Sequence, residues 1–447
     1  MASAAEQLAS HISLAHFSKA TELKKRIWFT LGALVIYRLG TYIPLPGIDP
    51  HILADVFKNQ QGGILGMFDM FAGGAFGRMT IFALNIMPYI SSSIIMQLLT
   101  AVSPHFEALK KEGDAGRKKI TQYTRYGTVI LAALQAWGIA VGLEGMTGSA
   151  GSAVVDPGYF FRFTTMVSLT SGTIFLMWLG EQVTARGVGN GISLIIFAGI
   201  VANLPHSLAA TLELGRTGAM SAGFIIGFLI LGVAVITFIV FMERAQRRIV
   251  VQYPKRQVGN KMFGGESSHL PLKLNTSGVI PPIFASSLLL LPMTFTSFIG
   301  NNGPSWLIDI TASLGRGQAV HLILYSALII FFAFFYTAVV FNPVDTADNL
   351  KKYGGFIPGI RPGKNTAEYL DTVLTRLTAI GALYLVGVCL LPEILISEYS
   401  LPFYFGGTSL LIVVTVTMDT MAQVQSHLIA HQYEGLIRKS RLKGRRG

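Results

Sequence analysis

The sequence has 447 residues, of which 51% are hydrophobic and only 13% are charged, and its formal net charge is +12. A soluble protein of ordinary composition carries about 25% charged residues, so this chain has too few polar side chains to cover a water-soluble globule, and its composition favours a bilayer as the solvent. The single cysteine, Cys389, lies in an apolar run and excludes a disulfide framework.

Ten apolar stretches predict membrane-spanning helices, each of which needs about 20 residues. Numbered in chain order as spans 1 to 10, they cover residues 27–43, 79–101, 126–143, 159–180, 189–206, 221–242, 276–298, 320–341, 374–392 and 407–422. The fold class that we predict is therefore all-α and polytopic. An even number of spans places both termini on one side of the membrane.

Lysines and arginines are distributed unequally between the two sides of the predicted bundle. The tail 1–26, the loops that follow the even-numbered spans, the tail 423–447 and Arg376 together hold 29 of the 35 basic residues. A bias of this kind marks the cytoplasmic side. We call it the basic side and expect both termini to lie there.

Between spans 1 and 2 lies an apolar segment broken by glycines, residues 62–78 (GGILGMFDMFAGGAFGR). Ile64, Met67, Phe68 and Phe71 recur at helical spacing and would share one face. The segment is too short to span the bilayer. Either it lies on the bilayer surface or it folds back into the protein, where irregular backbone is tolerated, and the pattern leaves both interpretations open.

Spans 2 and 7 share a proline motif that indicates an internal repeat. Aligning Pro88 with Pro281 superposes Ile90 on Ile283 and also aligns two serines. A proline inside a spanning helix bends it and frees a backbone carbonyl. We therefore place these two spans at the interface between the halves of the molecule.

Spans 5 and 10 extend this repeat, because each follows a glycine turn. The turns are Gly189-Asn190-Gly191 and Gly406-Gly407. Two halves of five spans follow, and an odd number of spans per half inverts the second half relative to the first.

The loop 243–275 on the basic side carries seven lysines and arginines. Its middle, RRIVVQYPKRQVG (247–259), predicts a two-stranded hairpin with β-forming residues on either side of Tyr253-Pro254. Such a loop suits a partner with phosphates or acidic side chains. Membrane topology alone also explains basic loops, and the charge by itself does not decide between these interpretations.

Ionisable residues are scarce within the spans, where pumps and ion-coupled transporters need them. Arg38, Arg162 and Asp419 are the clear charges there, and the glycine-rich 187–191 lacks the Lys-Ser/Thr of a phosphate loop. We expect no enzyme activity, cofactor or metal. The rival interpretations are a secondary transporter, which needs buried ionisable groups, and a membrane-embedded lipid-modifying enzyme, which needs a His or acidic cluster.

Seven long motifs resemble the bacterial SecY family of protein translocation channels. They are FALNIMPYISSSIIMQLL (82–99), KKEGDAGRKKITQYTRYGT (110–128), MWLGEQVTARGVGNGISLIIFAGI (177–200), RRIVVQYPKRQVG (247–259), GVIPPIFASS (278–287), FNPVDTADNLKKYGGFIPGIRPG (341–363) and PFYFGGTSLLIVV (402–414). They occur in order along essentially the whole chain.

The resemblance implies two pseudo-symmetric halves of five helices around a central pore. The halves would be 27–206 and 207–422, with cytoplasmic loops 243–275 and 342–373. It implies that segment 62–78 is a plug that folds back into the pore, with Ile64, Met67, Phe68 and Phe71 on it. The implied constriction ring is Ile86, Ile90, Ile192, Ile196, Ile283 and Ile412. A ring of apolar β-branched side chains offers an ion nothing that replaces its hydration shell. It therefore restricts the passage of ions by excluding water.

The resemblance also implies a lateral gate between spans 2 and 7 that opens toward lipid. Its polar residues would be Ser91, Ser92, Ser93, Gln97, Asn275, Ser286 and Ser287. We hypothesise that weak polar contacts between the two helices, of about 1 kcal/mol each, hold this seam shut.

Docking of a ribosome or of the SecA motor would involve Arg247, Arg248, Lys255, Arg256, Arg361 and Tyr433. After Gly259 the loop continues Asn260-Lys261, where many family members carry two basic residues, and this departure puts the strength of that contact in question. The other implied partners are SecE, SecG and secretory or membrane-protein substrates in the bacterial cytoplasmic (inner) membrane, with SecDF and YidC as further candidates.

Overall fold

The computed structural model describes residues 21–53, 69, 72–145, 147–148, 151–217, 221–254, 256–258, 261–263, 267–299, 313, 318–399 and 407–443. Within these residues a helix lies at each of the ten predicted spans. In span order the helices are Thr21–Gly40, Met87–Val102, Asp114–Glu144, Tyr159–Arg186, Gly191–Arg216, Ala222–Arg244, Ile280–Ile299, Ala319–Val340, Lys364–Tyr399 and Gly407–Lys443. Two shorter helices, Pro104–Lys111 and Pro343–Lys352, lie in loops of the basic side.

Seven of the helices in the described part of the chain are long and apolar enough to cross a membrane. They belong to spans 3, 4, 5, 6, 8, 9 and 10. The apolar stretches Met87–Val102 and Ile280–Leu289 are shorter, and both belong to the proline-bearing spans of the repeat. Met87–Val102 is the shortest of the ten span helices in the described part of the chain, whereas the span 7 helix continues to Ile299.

Span 2 begins later than the sequence predicts, because residues 79–86 are not helical. Proline is favoured in the first turn of a helix, where its missing N–H leaves no donor unpaired, and Pro88 lies there in a helix that starts at Met87. Met79 and Asn85 have φ values of +45° and +48°. The prediction of a helix from residue 79 was wrong, and the irregular stretch is tolerated because it is buried within protein.

The repeat inferred from the prolines continues in the backbone. Span 7 starts at Ile280 with Pro281 as its second residue, as span 2 starts at Met87 with Pro88. Under the same alignment Asn85 corresponds to Gly278, and both have left-handed φ values, +48° and +62°. The helices of spans 2 and 7 therefore both follow a left-handed turn, a conformation that asparagine and glycine adopt more readily than other residues.

Spans 5 and 10 begin in equivalent surroundings. A Cβ added to Gly191 would lie 2.0 Å from the carbonyl oxygen of Gly180 in span 4, and one added to Gly407 would lie 2.0 Å from that of Val388 in span 9. Only glycine permits such close approach of two backbones. The glycine turns noted in the sequence therefore bring each span against the one before it.

The hairpin predicted around Tyr253-Pro254 was wrong in its pairing. Strand β3 (Gln246–Gln252) pairs antiparallel with β6 (Ser267–Lys273), whereas β4 (Arg256–Val258) pairs with β5 (Lys261–Phe263); the remaining strands, β1 (Thr147–Gly148) and β2 (Gly151–Ser152), form a separate pair. Pro254 has no N–H to donate to a ladder, and it lies between the two paired regions rather than in their turn.

Strand β3 also joins the loop that follows span 8. Gln252 and Phe356 exchange two backbone hydrogen bonds of 2.9 Å. Beneath this junction Ile249, Val251 and Ile357 pack with the start of the span 9 helix in one apolar cluster. We call β3, β6 and residues 353–361 the loop platform, since they form one packed body on the basic side.

The largest apolar cluster lies at the centre of the bundle and draws residues from spans 1, 2 and 4 to 10. A second cluster lies toward the opposite side from the loop platform and includes Leu45, Ala75 and Phe76. Spans 3 and 4 are joined near both ends by ion pairs, Arg125 with Glu181 and Arg162 with Glu144. The central cluster therefore includes residues from all four of the repeated spans 2, 5, 7 and 10.

Candidate functional site

The six isoleucines singled out in the sequence converge at the centre of the bundle. Four of them are buried members of the central cluster and the other two pack against it; the buried ones are Ile86, Ile90, Ile196 and Ile412, and the partly buried ones are Ile192 and Ile283. They come from spans 2, 5, 7 and 10, which are the two repeated pairs. Side chains far apart in sequence thus belong to one apolar cluster, and we give the name waist to the place in it where Ile86, Ile90, Ile196 and Ile283 meet.

A narrow cavity lies at this waist, with a volume of about 10 Å³. That is close to the smallest space that holds one water molecule. Ile86, Ile90, Ile196 and Ile283 line it, together with Asn85, Met87 and Ser286. The cavity at the waist therefore has room for little more than one water molecule, and its walls are mainly aliphatic.

The predicted plug residues Ile64, Met67, Phe68 and Phe71 lie outside the described residues. The end of the segment is described, and there Ala72, Ala75 and Phe76 are buried in the protein. This end therefore enters the bundle and does not lie on a bilayer surface.

The backbone carbonyl of Gly73 receives two arginine side chains. Arg38 Nη1 donates to Gly73 O at 3.0 Å, and Arg78 Nη2 donates to it at 3.4 Å. The Arg78 guanidinium also lies over the Tyr42 ring, 4.3 Å from its centroid, as a cation–π contact does. Arg38, a charge within a predicted span, thus fixes the end of segment 62–78.

The polar residues predicted at the gate are buried or partly buried, and spans 2 and 7 pack against each other. Their hydrogen bonds, however, lead elsewhere. Ser92 donates to Thr124 O in span 3 at 2.8 Å, and Ser286 donates to Ile283 O of its own helix at 3.0 Å. Gln97 likewise donates to Ser93 within span 2.

In the described part of the chain, none of the hydrogen bonds of these gate residues joins span 2 to span 7. The Ser287 hydroxyl is buried without a partner among the described atoms. The polar contacts across the seam that we hypothesised are therefore not the bonds that these side chains make. Where spans 2 and 7 meet, Ile86, Ile90 and Ile283 line the cavity at the waist.

Asn275, assigned to the gate from the sequence, lies in the turn that enters span 7. Its Nδ2 donates to Glu243 Oε1 in span 6 at 2.7 Å and to Gly278 O at 3.1 Å. Its described hydrogen bonds therefore join the entry of span 7 to span 6, and none of them reaches span 2.

Of the predicted docking residues, three have described side chains, and all three are exposed: Arg247 and Arg248 on β3, and Arg361 in the loop that follows span 8. Gly359 and Gly363, with φ values of +83° and +106°, flank Arg361. Arg256 lies in β4 and Tyr433 in the last helix, whereas Lys255 lies outside the described residues. The loop platform therefore presents exposed guanidinium groups from two loops on one body.

Several residues of this site were missed in the sequence. Asn85 lines the waist cavity and interacts with the Tyr37 hydroxyl, and Glu243 and Tyr384 meet beneath span 7. Asn85 had a signal, since the Pro88–Pro281 alignment pairs it with Gly278 and both residue types tolerate positive φ. Glu243 and Tyr384 had none, because their proximity depends on the packing of separate spans.

The chemistry available at the waist is that of a passive apolar constriction. Among the described residues no group of three or more His, Cys, Asp or Glu side chains could hold a metal ion. The arrangement offers a closed path, a buried segment beside it and an external basic surface.

Comparison with known proteins gives a consistent result. A family model described as SecY matches residues 80–421. The chain is 56% identical over 431 residues to the protein translocase subunit SecY of Vibrio cholerae, covering 96% of each chain. It is also 56% identical over 424 residues to that of Escherichia coli strain K12, covering 95% of this chain and 96% of the relative.

Solved structures of similar fold are channels. One, described as a protein-conducting channel, has a TM-score of 0.61 and 18% identity and covers 91% of this chain and 92% of its own. A structure from work on the plug domain of SecY has a TM-score of 0.63 and 19% identity over the same shares. Sec61 in a canine ribosome–channel complex has a TM-score of 0.58 and 16% identity, again over 91% and 92%.

Proposed function

The chain belongs to the SecY family, and from that membership we propose how its residues conduct a polypeptide. It is a multi-pass membrane protein that functions as a protein-conducting channel and not as an enzyme, in keeping with relatives that are 56% identical over nearly their whole length. The observation that carries the proposal is that all six isoleucines belong to or pack against one central apolar cluster, and that four of them, from spans 2, 5 and 7, line one narrow cavity.

The waist acts as the seal. A translocating chain presents every type of side chain, so a site built from charges or hydrogen-bonding groups would bind some of them too firmly. Branched aliphatic side chains bind no ion strongly and exclude water when they meet. The ring therefore closes around a moving polypeptide and returns to the closed state when the polypeptide has left.

Segment 62–78 acts as the plug of the resting channel. Supporting this role, its described end is buried, and Arg38 and Arg78 donate to the Gly73 carbonyl. Hydrogen bonds from these two arginine side chains hold the Gly73 end of the segment in place.

Spans 2 and 7 form a lateral gate that releases hydrophobic segments into lipid. Each of their helices is entered through a left-handed residue, Asn85 or Gly278, and has a proline as its second residue. Because no described hydrogen bond of the gate residues crosses the seam, a hydrophobic signal sequence replaces one apolar contact with another. The polar side chains along this seam thus let the two helices pack together without a hydrogen bond between them. They are Ser91, Ser92, Ser93, Gln97, Ser286 and Ser287.

The loop platform docks the partner that drives transport. Its exposed arginines suit rRNA phosphates or the acidic side chains of a motor, and the solved relatives of this fold include channels bound to ribosomes. We propose SecA and the ribosome as the drivers, SecE and SecG as companion subunits, and SecDF and YidC as further partners.

The orientation that we propose places the loop platform and both termini in the cytoplasm and the chain in the bacterial inner membrane. The two halves are residues 27–206 and 207–422, between the tails 1–26 and 423–447. The excess of basic residues on the platform side supports this orientation.

Reconstitution tests the proposal. Purified protein with SecE, SecG, SecA and ATP should carry a precursor into vesicles, and Ile90→Asn together with Ile283→Asn should raise ion leakage while transport persists. Uptake of small solutes in place of the precursor would favour a secondary transporter, and modification of lipids in the same vesicles would favour a lipid enzyme.

A further inference from the structure

A carboxylate at the end of span 6 lies beneath the turn that enters span 7. Glu243 Oε1 accepts a 2.7 Å hydrogen bond from Asn275 Nδ2 and a 3.5 Å bond from the Tyr384 hydroxyl of span 9. One oxygen atom thus touches the entry to a gate wall and a helix outside the gate. Its charged neighbours are Lys273 and Asp419.

Asn275 also forms hydrogen bonds within the turn that enters span 7. Its Oδ1 accepts from the Ser277 hydroxyl at 3.0 Å and from Gly278 N at 3.1 Å. Its Nδ2 also reaches Gly278 O, at 3.1 Å. Gly278 is the left-handed residue two positions before the span 7 helix, so the Asn275 side chain is bonded to the backbone where that helix is entered.

The turn is also held from two other sides. Leu274 N donates to Ala245 O, which joins it to the end of span 6 at 2.9 Å. A Cβ on Gly381 of span 9 would lie 2.9 Å from Leu274 O, so the span 9 backbone abuts the turn. Since the backbone is already fixed up to Leu274, the Glu243–Asn275 bond acts on the residues that follow, where the wall begins.

We propose that Glu243 is a positioning residue of the lateral gate, whose hydrogen bond to Asn275 holds the root of span 7 in the closed position. This inference rests on the proposed gate between spans 2 and 7. The equilibrium between the closed and the open gate is then set by a carboxylate that belongs to neither span 2 nor span 7. No described hydrogen bond of the gate residues joins span 2 to span 7, whereas Asn275, at the entry to span 7, is bonded to Glu243.

A hydrogen bond to a charged group is stronger than one between neutral groups. Loss of the acceptor should therefore shift the equilibrium toward the open gate by about tenfold. An open-biased gate admits signal sequences that a closed gate rejects. Selectivity, rather than the transport of a good substrate, is then the property that changes.

The test uses the whole SecYEG complex and two precursors, one with an intact signal sequence and one with a shortened apolar segment. Glu243→Ala should raise the transport of the shortened precursor about tenfold relative to the intact one, and Asn275→Ala should do the same. Glu243→Gln, which keeps an acceptor oxygen, should restore most of the selectivity. The double variant should equal Asn275→Ala alone, because the bond between Glu243 and Asn275 is already lost when Asn275 is replaced.

Glu368→Ala is the matched control, since Glu368 is exposed on the span 9 helix and belongs to neither wall. Thermal unfolding of each complex separates a gate effect from damage to the fold. If Glu243→Ala lowers the melting temperature and impairs both precursors equally, the residue is merely structural and the inference fails.

A reference variant within the gate, Ile283→Asn, separates this inference from the proposed function. If Ile283→Asn changes selectivity and Glu243→Ala does not, the positioning role is overturned while the gate stands. If neither changes it, the gate itself is overturned.

Discussion

Single glycines decide how closely segment 62–78 approaches the pore. Gly73 has a φ of +65°, and a Cβ added there would lie 2.8 Å from the Cα of Gly199 in span 5. Its carbonyl is also the acceptor for Arg38 and Arg78. Both the conformation and the space at this position require a residue without a side chain.

We predict that Gly73→Ala displaces the end of the segment and raises ion conductance through the resting channel. The left-handed conformation alone costs a non-glycine residue about 1–2 kcal/mol, and the contact with Gly199 adds to it. Conductance of the reconstituted complex in planar bilayers measures the effect. Gly227→Ala is the control, because a Cβ there meets nothing within 4 Å; equal conductance for the two variants would contradict the prediction.

A second prediction concerns the apolar side chains at the waist. Ile90 is buried beside a cavity of about 10 Å³. Ile90→Asn should wet this cavity and raise resting conductance, because an amide side chain holds water where an aliphatic one does not. Ile90→Val, which keeps the surface apolar, should leave conductance near that of the native channel. A leak through the Val variant as large as that through the Asn variant would argue against dewetting as the seal.

At the scale of elements, the basic loops stand on a small core of their own. Ile249 and Val251 of β3 point into the cluster under the loop platform, whereas Val250 between them is 39% exposed. This alternation is that of a half-buried strand. The platform is therefore held in place by packing as well as by its backbone bonds.

We predict that Ile249→Ala loosens the loop platform by about 2 kcal/mol or more, the usual cost of truncating a buried aliphatic side chain. Protease cleavage within loop 243–275 should become faster, as measured by gel after brief digestion. Val250→Ala on the same strand should change the rate little. Equal rates for the two variants would show that the cluster does not support the loop.

The starts of the span 2 and span 7 helices could be predicted only in part from the sequence. The prolines predicted that spans 2 and 7 are unusual, and the repeat continues in the paired left-handed residues Asn85 and Gly278. The exact helix start could not be predicted from hydropathy, because residues 79–86 are apolar whether or not they are helical. Burial of that stretch by neighbouring spans makes its irregular backbone tolerable.

At the scale of the whole molecule, charge is separated between two ends. The loops and tails of the basic side hold most of the 35 lysines and arginines. Orientation in the membrane follows this excess, and the loop platform concentrates part of it on a rigid surface. One feature of the sequence thus bears on both topology and docking.

We predict that Arg247→Ala combined with Arg248→Ala weakens ribosome binding and reduces its dependence on salt. The slope of log K against log salt should fall by roughly one for each phosphate contact that is lost. Sedimentation of the detergent-solubilised complex with ribosomes at several salt concentrations measures it. Arg216→Ala, on the opposite side beside Glu213, should leave the slope unchanged; an unchanged slope in the double variant would exclude a phosphate contact.

The sequence by itself determined the number of spans, the side that carries the basic loops and the existence of a repeat. These properties depend on composition and spacing along the chain, and each span meets lipid with its own residues. The family motifs also singled out six isoleucines, four of which line one cavity in the structure.

Only the tertiary structure decided where the span 2 helix begins, which strands pair in loop 243–275 and where the gate serines donate. It alone revealed that Glu243 meets Asn275 and Tyr384. The reason is physical, since a hydrogen bond or a strand pairing depends on which distant segments come within about 3 Å. Such neighbours are set by the packing of the whole bundle, and a local pattern does not record them.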